Sequence, residues 1–445
     1  MRRIQPKENP LSQSFDGKSL LKFAFPTILM MILMGLYTIV DTVFVSRLVS
    51  TDALSALNIV CPVINLIVGL GTMLATGGGA IVARKMGAGE AERASQDFTL
   101  LIAAGALLGG LIAVPGTAFI DRIIRGLGAS GRLFPYCREY LLILLFFTPA
   151  SIAQVLFQNL IVTAGRPGFG MLLGAGAGAA NILFDYIFMG PMQMGIKGAA
   201  LGTGIGYLIP TAAGVWFFST GRGSLHFKRP AMEWSVLAES CTNGCSEMVS
   251  QAAAAVTTFF FNRIMMRLAG EDGVAAVTIM IYTQFLLTAF YIGFSMGVAP
   301  VISYKDGKQD RFQLKKVVSI CLRFVILSSV VIFGASLAFG ASLAGVFSEK
   351  GTHVYELARN GFLIFPFSFL FSGFNIFASA AFTALSNGRL SAIISFLRTF
   401  GLLLLLLLTL PALLGVTGVW LAVPAAEFLT MLVSLSFVLN RMRGI

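Results

Sequence analysis

The sequence predicts an all-α membrane protein of twelve transmembrane helices, set in two six-helix bundles related by pseudo-twofold symmetry along the membrane normal. Three observations predict it. Of the 445 residues, 56% are hydrophobic and only 12% are charged, for a mean hydropathy of +0.84. Apolar runs of about 20 residues, the length a helix needs to cross a bilayer core, recur along the whole chain. The second half also repeats the first. RLVSTDALSAL (47–57) matches RLAGEDGVAAV (267–277) at an offset of 220. The same shift pairs Gly87 with Gly307, Thr163-Ala164 with Thr383-Ala384, Pro191 with Pro411, and Gly195, Gly198 and Leu201 with Gly415, Gly418 and Leu421. A register held over so long a stretch is an internal duplication. Each half holds an even number of spans and starts on the same side, so the repeats are parallel and two bundles face one central cavity.

Taken in order, residues 1–18 form a short polar tail, expected to be cytoplasmic. The first span starts near Ser19 and Leu20 and runs to about Ser46. That is too long for the core of a secretory signal and carries no cleavage signature, so it reads as a permanent span. Further spans begin near Ala53, Asp97, Phe134, Gly168 and Gly195 and complete an N-lobe over 19–219. The basic, proline-containing stretch TGRGSLHFKRPAMEW (220–234) reads as a cytoplasmic linker. Spans beginning near Ser235, Val274, Phe312, Val354, Leu390 and Gly415 make up a C-lobe over 235–445. With the N-terminus inside, 20 of the 32 Lys and Arg residues fall on the inner side, among them Arg2, Arg3, Lys7, Arg84, Lys85, Arg222 and Arg443, and 10 on the outer side. Arg323 and Arg398 fall within spans. This bias predicts two cytoplasmic termini in a bacterial inner membrane.

Several function classes are excluded at this level. The net charge of +12 is scattered through short loops rather than gathered on one patch, which speaks against nucleic acid. Cys61, Cys137, Cys241, Cys245 and Cys321 are dispersed in or beside apolar segments and make no disulfide framework. His226 and His353 have no Cys or His neighbour at metal spacing, so neither zinc nor haem is expected. The stretches GLGTMLATGGGA, GAGAGAA and GTGIG lie within spans, where small residues allow close helix packing rather than nucleotide binding. Walker A and GxSxG motifs are missing. No cofactor is expected, and a transporter with this sequence would run on an ion gradient. An intramembrane enzyme would need a catalytic histidine or an activated nucleophile, but His226 lies in a loop and His353 near the outer face.

The repeat is informative where it fails. At the 220 offset Asp41 faces Phe261, Asn181 faces Gly401, Asp185 faces Leu405 and Thr203 faces Val423. The first half thus carries a polar set that the second lacks. Asn181 and Asp185 are four residues apart on one helix face, as are Tyr37 and Asp41. Two carboxyl groups in a low-dielectric interior can take up and release a proton. With amide, hydroxyl and phenol oxygens they can equally hold Na⁺, with Asp41, Asn181, Asp185 and Thr203 as ligands. Ionisable residues within a span are read as functional by default. Glu247, about a dozen residues into the seventh span, together with Tyr282, Gln284 and Gln158, forms a candidate substrate-contact set. Arg398 and Glu427 read as a structural pair between adjacent helices. Pro26 removes a backbone hydrogen bond below Asp41 and reads as a hinge.

Pro26 followed by Asp41 in PTILMMILMGLYTIVDTVFVSRL, the Gly87 loop after the second span, and NILFDYIFMG followed by GIKGAALGT resemble the multidrug and toxic compound extrusion (MATE) family. The resemblance covers nearly the whole chain. It is strongest to the DinF-like branch or a closely related bacterial multidrug-exporter subgroup. It implies Asp41, Asn181, Asp185 and Thr203, with Tyr37 nearby, as the cation-coupling site. It also implies efflux of cationic or amphipathic drugs or metabolites in exchange for H⁺ or Na⁺, by rocking of two lobes in a monomer. The NorM-like branch carries acidic residues on both the seventh and tenth spans. Here Glu247 matches the former and only Asn375 lies near the latter, so a second coupling site is not implied. A lipid-linked oligosaccharide flippase of the same superfamily would need a strongly basic cavity, which Arg323 and Arg398 alone do not make. Export of a flavin-like metabolite is a further alternative.

Overall fold

The computed structural model describes residues 9–221 and 223–444, and every regular element among them is helical. Arg2, Arg3, Lys7 and Arg222, counted above on the inner side, lie outside the described residues, as does the side chain of Arg443. The first bundle comprises α1 (Gly17–Phe44), α2 (Thr51–Gly87), α3 (Ala91–Ala118), α4 (Ile120–Gly126), α5 (Phe134–Phe146), α6 (Thr148–Thr163), α7 (Pro167–Met189) and α8 (Ile196–Ser219). The second comprises α9 (Trp234–Gly307), α10 (Arg311–Phe347), α11 (His353–Ile364), α12 (Phe367–Ala384), α13 (Gly388–Phe396), α14 (Leu402–Leu414) and α15 (Val416–Gly444).

Among the described residues, twelve membrane crossings follow from how these helices break. α5 and α6 meet at a 55° bend and make one span, with Pro149 in the first turn of α6, where its missing N–H costs nothing. α11 and α12 stand at the corresponding place in the second bundle, with Pro366 at the N-cap position of α12. α13 and α14 continue into each other through the wide turn Leu397–Gly401. α9 spans 74 residues. A straight helix of that size would be about 110 Å long, far more than a hydrocarbon core of about 30 Å can hold. Its backbone leaves the helical region at Gly270 (φ 64°, ψ −150°), and the chain there turns back for a second crossing.

The duplication extends to the backbone. Ser50, extended at φ −173° and ψ 165°, separates α1 from α2, and Gly270 breaks α9 at the corresponding place 220 residues on. Gly195 (φ 59°, ψ −141°) and Gly415 (φ 59°, ψ −137°) start α8 and α15 in one shared conformation that only glycine adopts without strain. Local signals fix several starts. Asp16 caps α1 reciprocally with Ser19, Ser50 accepts from the Ala53 N–H, and Asp310 accepts from the Gln313 N–H. The third span starts earlier than its hydropathy suggests. α3 begins at Ala91, so Asp97 lies inside the helix, where it pairs with Lys85 of α2. The 220–234 stretch is clamped to the first bundle. Phe227 joins a ring cluster with Phe98, Phe157 and Phe218, and the Lys228 ammonium meets Glu92 at 2.8 Å.

Lipid offers no hydrophobic drive for helices to associate, so the bundles meet by close packing of small residues. Their tightest approaches lie in the half nearest the chain termini, the terminal face. A Cβ at Gly77 of α2 would strike the Ser240 carbonyl and the Gly244 nitrogen of α9, and one at Gly244 would strike the Met73 carbonyl. Gly87 and Gly307 meet in the same way, through the Tyr304 and Arg84 carbonyls. Asn243 fastens this crossing by donating to the Thr383 carbonyl at 2.8 Å and the Gly77 carbonyl at 3.4 Å.

A strap covers this face. Residues 9–16, with the short turn Pro10–Ser12, lie across both bundles. Leu11 and Phe15 are fully buried, and the ring of Pro10 packs on Gly165 of the first bundle. On the other side the buried Lys305 of α9 donates to the carbonyls of Ser12 (3.1 Å) and Gln13 (2.8 Å) and lies 5.9 Å from the Phe15 ring centre.

Candidate functional site

Four helices of the first bundle each present two polar side chains four residues apart and hence on one face. These are Tyr37 and Asp41 on α1, Gln154 and Gln158 on α6, Asn181 and Asp185 on α7, and Thr203 and Tyr207 on α8. Tyr37, Gln154, Gln158, Asn181, Thr203 and Tyr207 line one small, partly open cavity of about 20 Å³. That is room for a water molecule or a small ion and far too little for a drug. Gln158, expected among substrate contacts, therefore groups with the cation set. Gln154 and Tyr207 were missed by the sequence reading, although the same four-residue spacing marks them.

Asp41 and Asp185 lie one turn beyond the cavity on their helices, and their carboxyl groups are immediate neighbours. Asp185 is fully buried and Asn181 nearly so. Asn181 donates weakly to the Thr203 hydroxyl at 3.5 Å. Both carboxylate oxygens of Asp185, one of Asp41 and the amide oxygen of Asn181 are buried without a hydrogen-bond donor among the described residues. Glycines bring the walls this close. Gly198, Gly202 and Gly206 recur every fourth residue along α8 and lie against Phe188, Asp185 and Asn181 of α7. A Cβ at Gly202 would collide with the Asp185 carboxylate, and one at Gly178 would come within 2.9 Å of the Tyr37 ring.

Four unpartnered oxygens and no nitrogen or sulfur ligand suit a proton or a hard monovalent cation. No cluster of three or more His, Cys, Asp or Glu side chains fit to hold a metal occurs among the described residues. Among the described residues no Lys or Arg acts on either carboxyl group, so an ion taken up from water would change the charge of the lobe interior.

The MatE family profile matches residues 26–187 and then again residues 248–409, once in each bundle. The chain belongs to the MatE family. Among its curated relatives is the multidrug export protein MepA of Staphylococcus saprophyticus, 24% identical over 440 residues that cover 95% of this chain and 93% of the relative. The MepA of Staphylococcus haemolyticus is 25% identical and covers 90% and 88%. Two solved structures share the fold over 99% of both chains at 20% identity. One is a MATE protein in the straight conformation, with a TM-score of 0.93, and the other a multidrug resistance MATE family transporter in an outward-facing conformation, with a TM-score of 0.92. The MatE protein described here is a multi-pass membrane transporter, not an enzyme.

The remaining sequence candidates are distributed over the MatE fold. Pro26 lies inside an unbroken α1, where the neighbouring Thr27 hydroxyl donates to the Ala24 carbonyl at 2.7 Å. Tyr282 lines an open, mostly apolar groove of about 590 Å³ at the far end of the second bundle, beside Met266, Glu271, Phe347 and Val354. Gln284 is half-buried on the same helix. Glu247 lies on the first arm of α9 within electrostatic range of Arg398. Arg398 and Glu427 form the expected pair, with Nε at 2.7 Å from Oε1, and Asn375 donates to the other Glu427 oxygen at 2.8 Å.

Proposed function

We propose that the protein is a secondary active antiporter that exports cationic or amphipathic small molecules in exchange for protons, with Na⁺ substituting in part. The reading is carried by the Asp41–Asp185 pair, three of whose carboxyl oxygens are buried without a donor among the described residues and which borders an ion-sized polar cavity. The printed function of the staphylococcal relatives, multidrug export, supports the substrate class. The inward bias of Lys and Arg supports cytoplasmic termini, which makes the terminal face the cytoplasmic one. The N-lobe over 19–219 and the C-lobe over 235–445 then rock as units in a monomer, and the glycine crossings near Gly77 and Gly87 are the contacts that part on inward opening.

The exchange follows from charge. An organic cation entering from the cytoplasm is held by a lobe that carries net negative charge. A proton or Na⁺ arriving at Asp41 and Asp185 from the other side removes that charge, and the substrate loses its counter-ion and leaves. Tyr37, Asn181 and Thr203 position the two carboxyl groups, and Gln154, Gln158 and Tyr207 supply polar contacts for an ion or its hydration water. Purified protein reconstituted in vesicles, with a proton gradient and a Na⁺ gradient imposed separately, tests the reading. Ethidium flux should follow the proton gradient alone and rise further with Na⁺. Flux that needs Na⁺ and ignores a pH jump would overturn the proton assignment.

A further inference from the structure

We propose that Arg398 is a resident cation, a covalently attached occupant that fills the second bundle's counterpart of the ion cavity and so confines ion exchange to the first bundle. The inference rests on the reading of Asp41 and Asp185 as the coupling pair. It starts from the duplication. α13 begins 221 residues after α7, and the repeat returns to an offset of 220 at Gly415, so Arg398 corresponds to Ala177 or Gly178. Both residues line the small cavity of the first bundle. Glu427 corresponds at 220 to Tyr207, which lines the same cavity. In the second bundle the two positions that border an ion-sized space in the first therefore carry an ion pair.

The pair is built into the interior. The Glu427 side chain is 3% exposed and that of Arg398 16%. Arg398 uses Nε for one carboxylate oxygen, and Asn375, itself fully buried, holds the other oxygen and the Glu427 carbonyl, both at 2.8 Å. Glu247 on α9 lies within electrostatic range of the guanidinium. Arg398 is carried on the wide turn Leu397–Gly401, an irregularity that α7 does not share. Two properties of arginine decide what the pair can do. It keeps its charge at every physiological pH, so no proton gradient can empty the site. It is tethered, so its effective concentration beside Glu427 exceeds that of any free ion. A carboxylate neutralised in this way cannot exchange its counter-ion during a transport cycle.

The test uses the full chain, purified and reconstituted, with cation uptake per ethidium exported measured at clamped membrane potential and Na⁺ binding followed by calorimetry. In Arg398→Ala the buried Glu427 loses its partner and must draw a cation from water, so uptake should rise roughly twofold over wild type. Adding Glu427→Gln should return it to the wild-type value, and Arg398→Lys should leave it unchanged. Should Arg398→Ala fail to fold, Arg398→Met/Glu427→Gln removes both charges of the pair together and should couple as wild type does. A folded Arg398→Ala protein with wild-type cation uptake, or a folded double variant that loses coupling, would overturn the proposal. Asp41→Asn, measured in parallel, separates the two readings. Coupling that survives in Asp41→Asn removes the first-bundle site itself, whereas the Arg398 variants address only the silence of the second.

Discussion

Asp185 is fully buried in an apolar helix, with Asp41 as an immediate ionisable neighbour and, among the described residues, no donor within hydrogen-bond distance of either of its oxygens. Asparagine has the same shape but can neither take up a proton nor balance a cation. Asp41→Asn and Asp185→Asn should each reduce efflux by at least about tenfold, while insertion and expression stay near normal, because neutralising an intramembrane carboxylate lowers its desolvation cost. Drug resistance of cells at matched protein level is the measurement, and wild-type resistance in either variant would take the pair out of the mechanism. These residues were legible in the sequence because a charge inside a hydrophobic run has no cheap structural explanation. Gln154 and Tyr207 were not, since uncharged polar side chains in a span are ordinarily satisfied by the neighbouring backbone. Only the convergence of four helices shows that both of them face Asn181 and Thr203.

At the scale of the element, α8 is held to α7 by glycines rather than by interlocking side chains, and the spacing sets the distance between Thr203 and Asn181. Gly202→Ala should push α8 away from the Asp185 carboxylate and destabilise the protein by about 1–3 kcal/mol, the usual cost of overpacking. Thermal unfolding in detergent reads this directly. Gly110→Ala on α3, where an added Cβ meets nothing within 4 Å, is the control and should unfold with wild type. Equal stability of the two variants would mean that α8 has slack the packing does not show. Element boundaries divide the same way between legible and hidden. The breaks at Ser50 and Gly270, and the glycines before α8 and α15, follow from residues that leave the helical region. The docking of the 220–234 stretch was hidden, because Phe227 and Lys228 reach across to Phe98 and Thr99, 129 residues away.

For the molecule as a whole, the two bundles touch most closely where backbone lies on backbone, and such contacts have no intermediate setting. A side chain at Gly77 acts as a wedge at a crossing that Asn243 otherwise fastens. Gly77→Val should shift the population towards molecules parted at the terminal face. Cys241, half-buried on α9 beside this crossing, should then react severalfold faster with a membrane-impermeant maleimide applied from that face, in a background whose other four cysteines are replaced. Unchanged labelling would show that the glycine crossing does not control access. Fold class, duplication and the polar set that only the first lobe carries were legible from composition and register, but the Asn375 contact that holds Glu427 beside Arg398 needed the paired geometry.

The strap of residues 9–16 has a consequence for the order in which the protein is made. It is the first described segment to leave the ribosome, yet the ammonium group that receives its carbonyls belongs to Lys305, 292 and 293 residues later. Until the second arm of α9 has been inserted, Ser12 and Gln13 have no such donor, and the second bundle's side of the strap's seat does not exist. Bonds closed over so long a stretch of chain form late. A segment made well before α9 is therefore among the last to settle, and its docking marks a chain in which both bundles have been inserted and brought together.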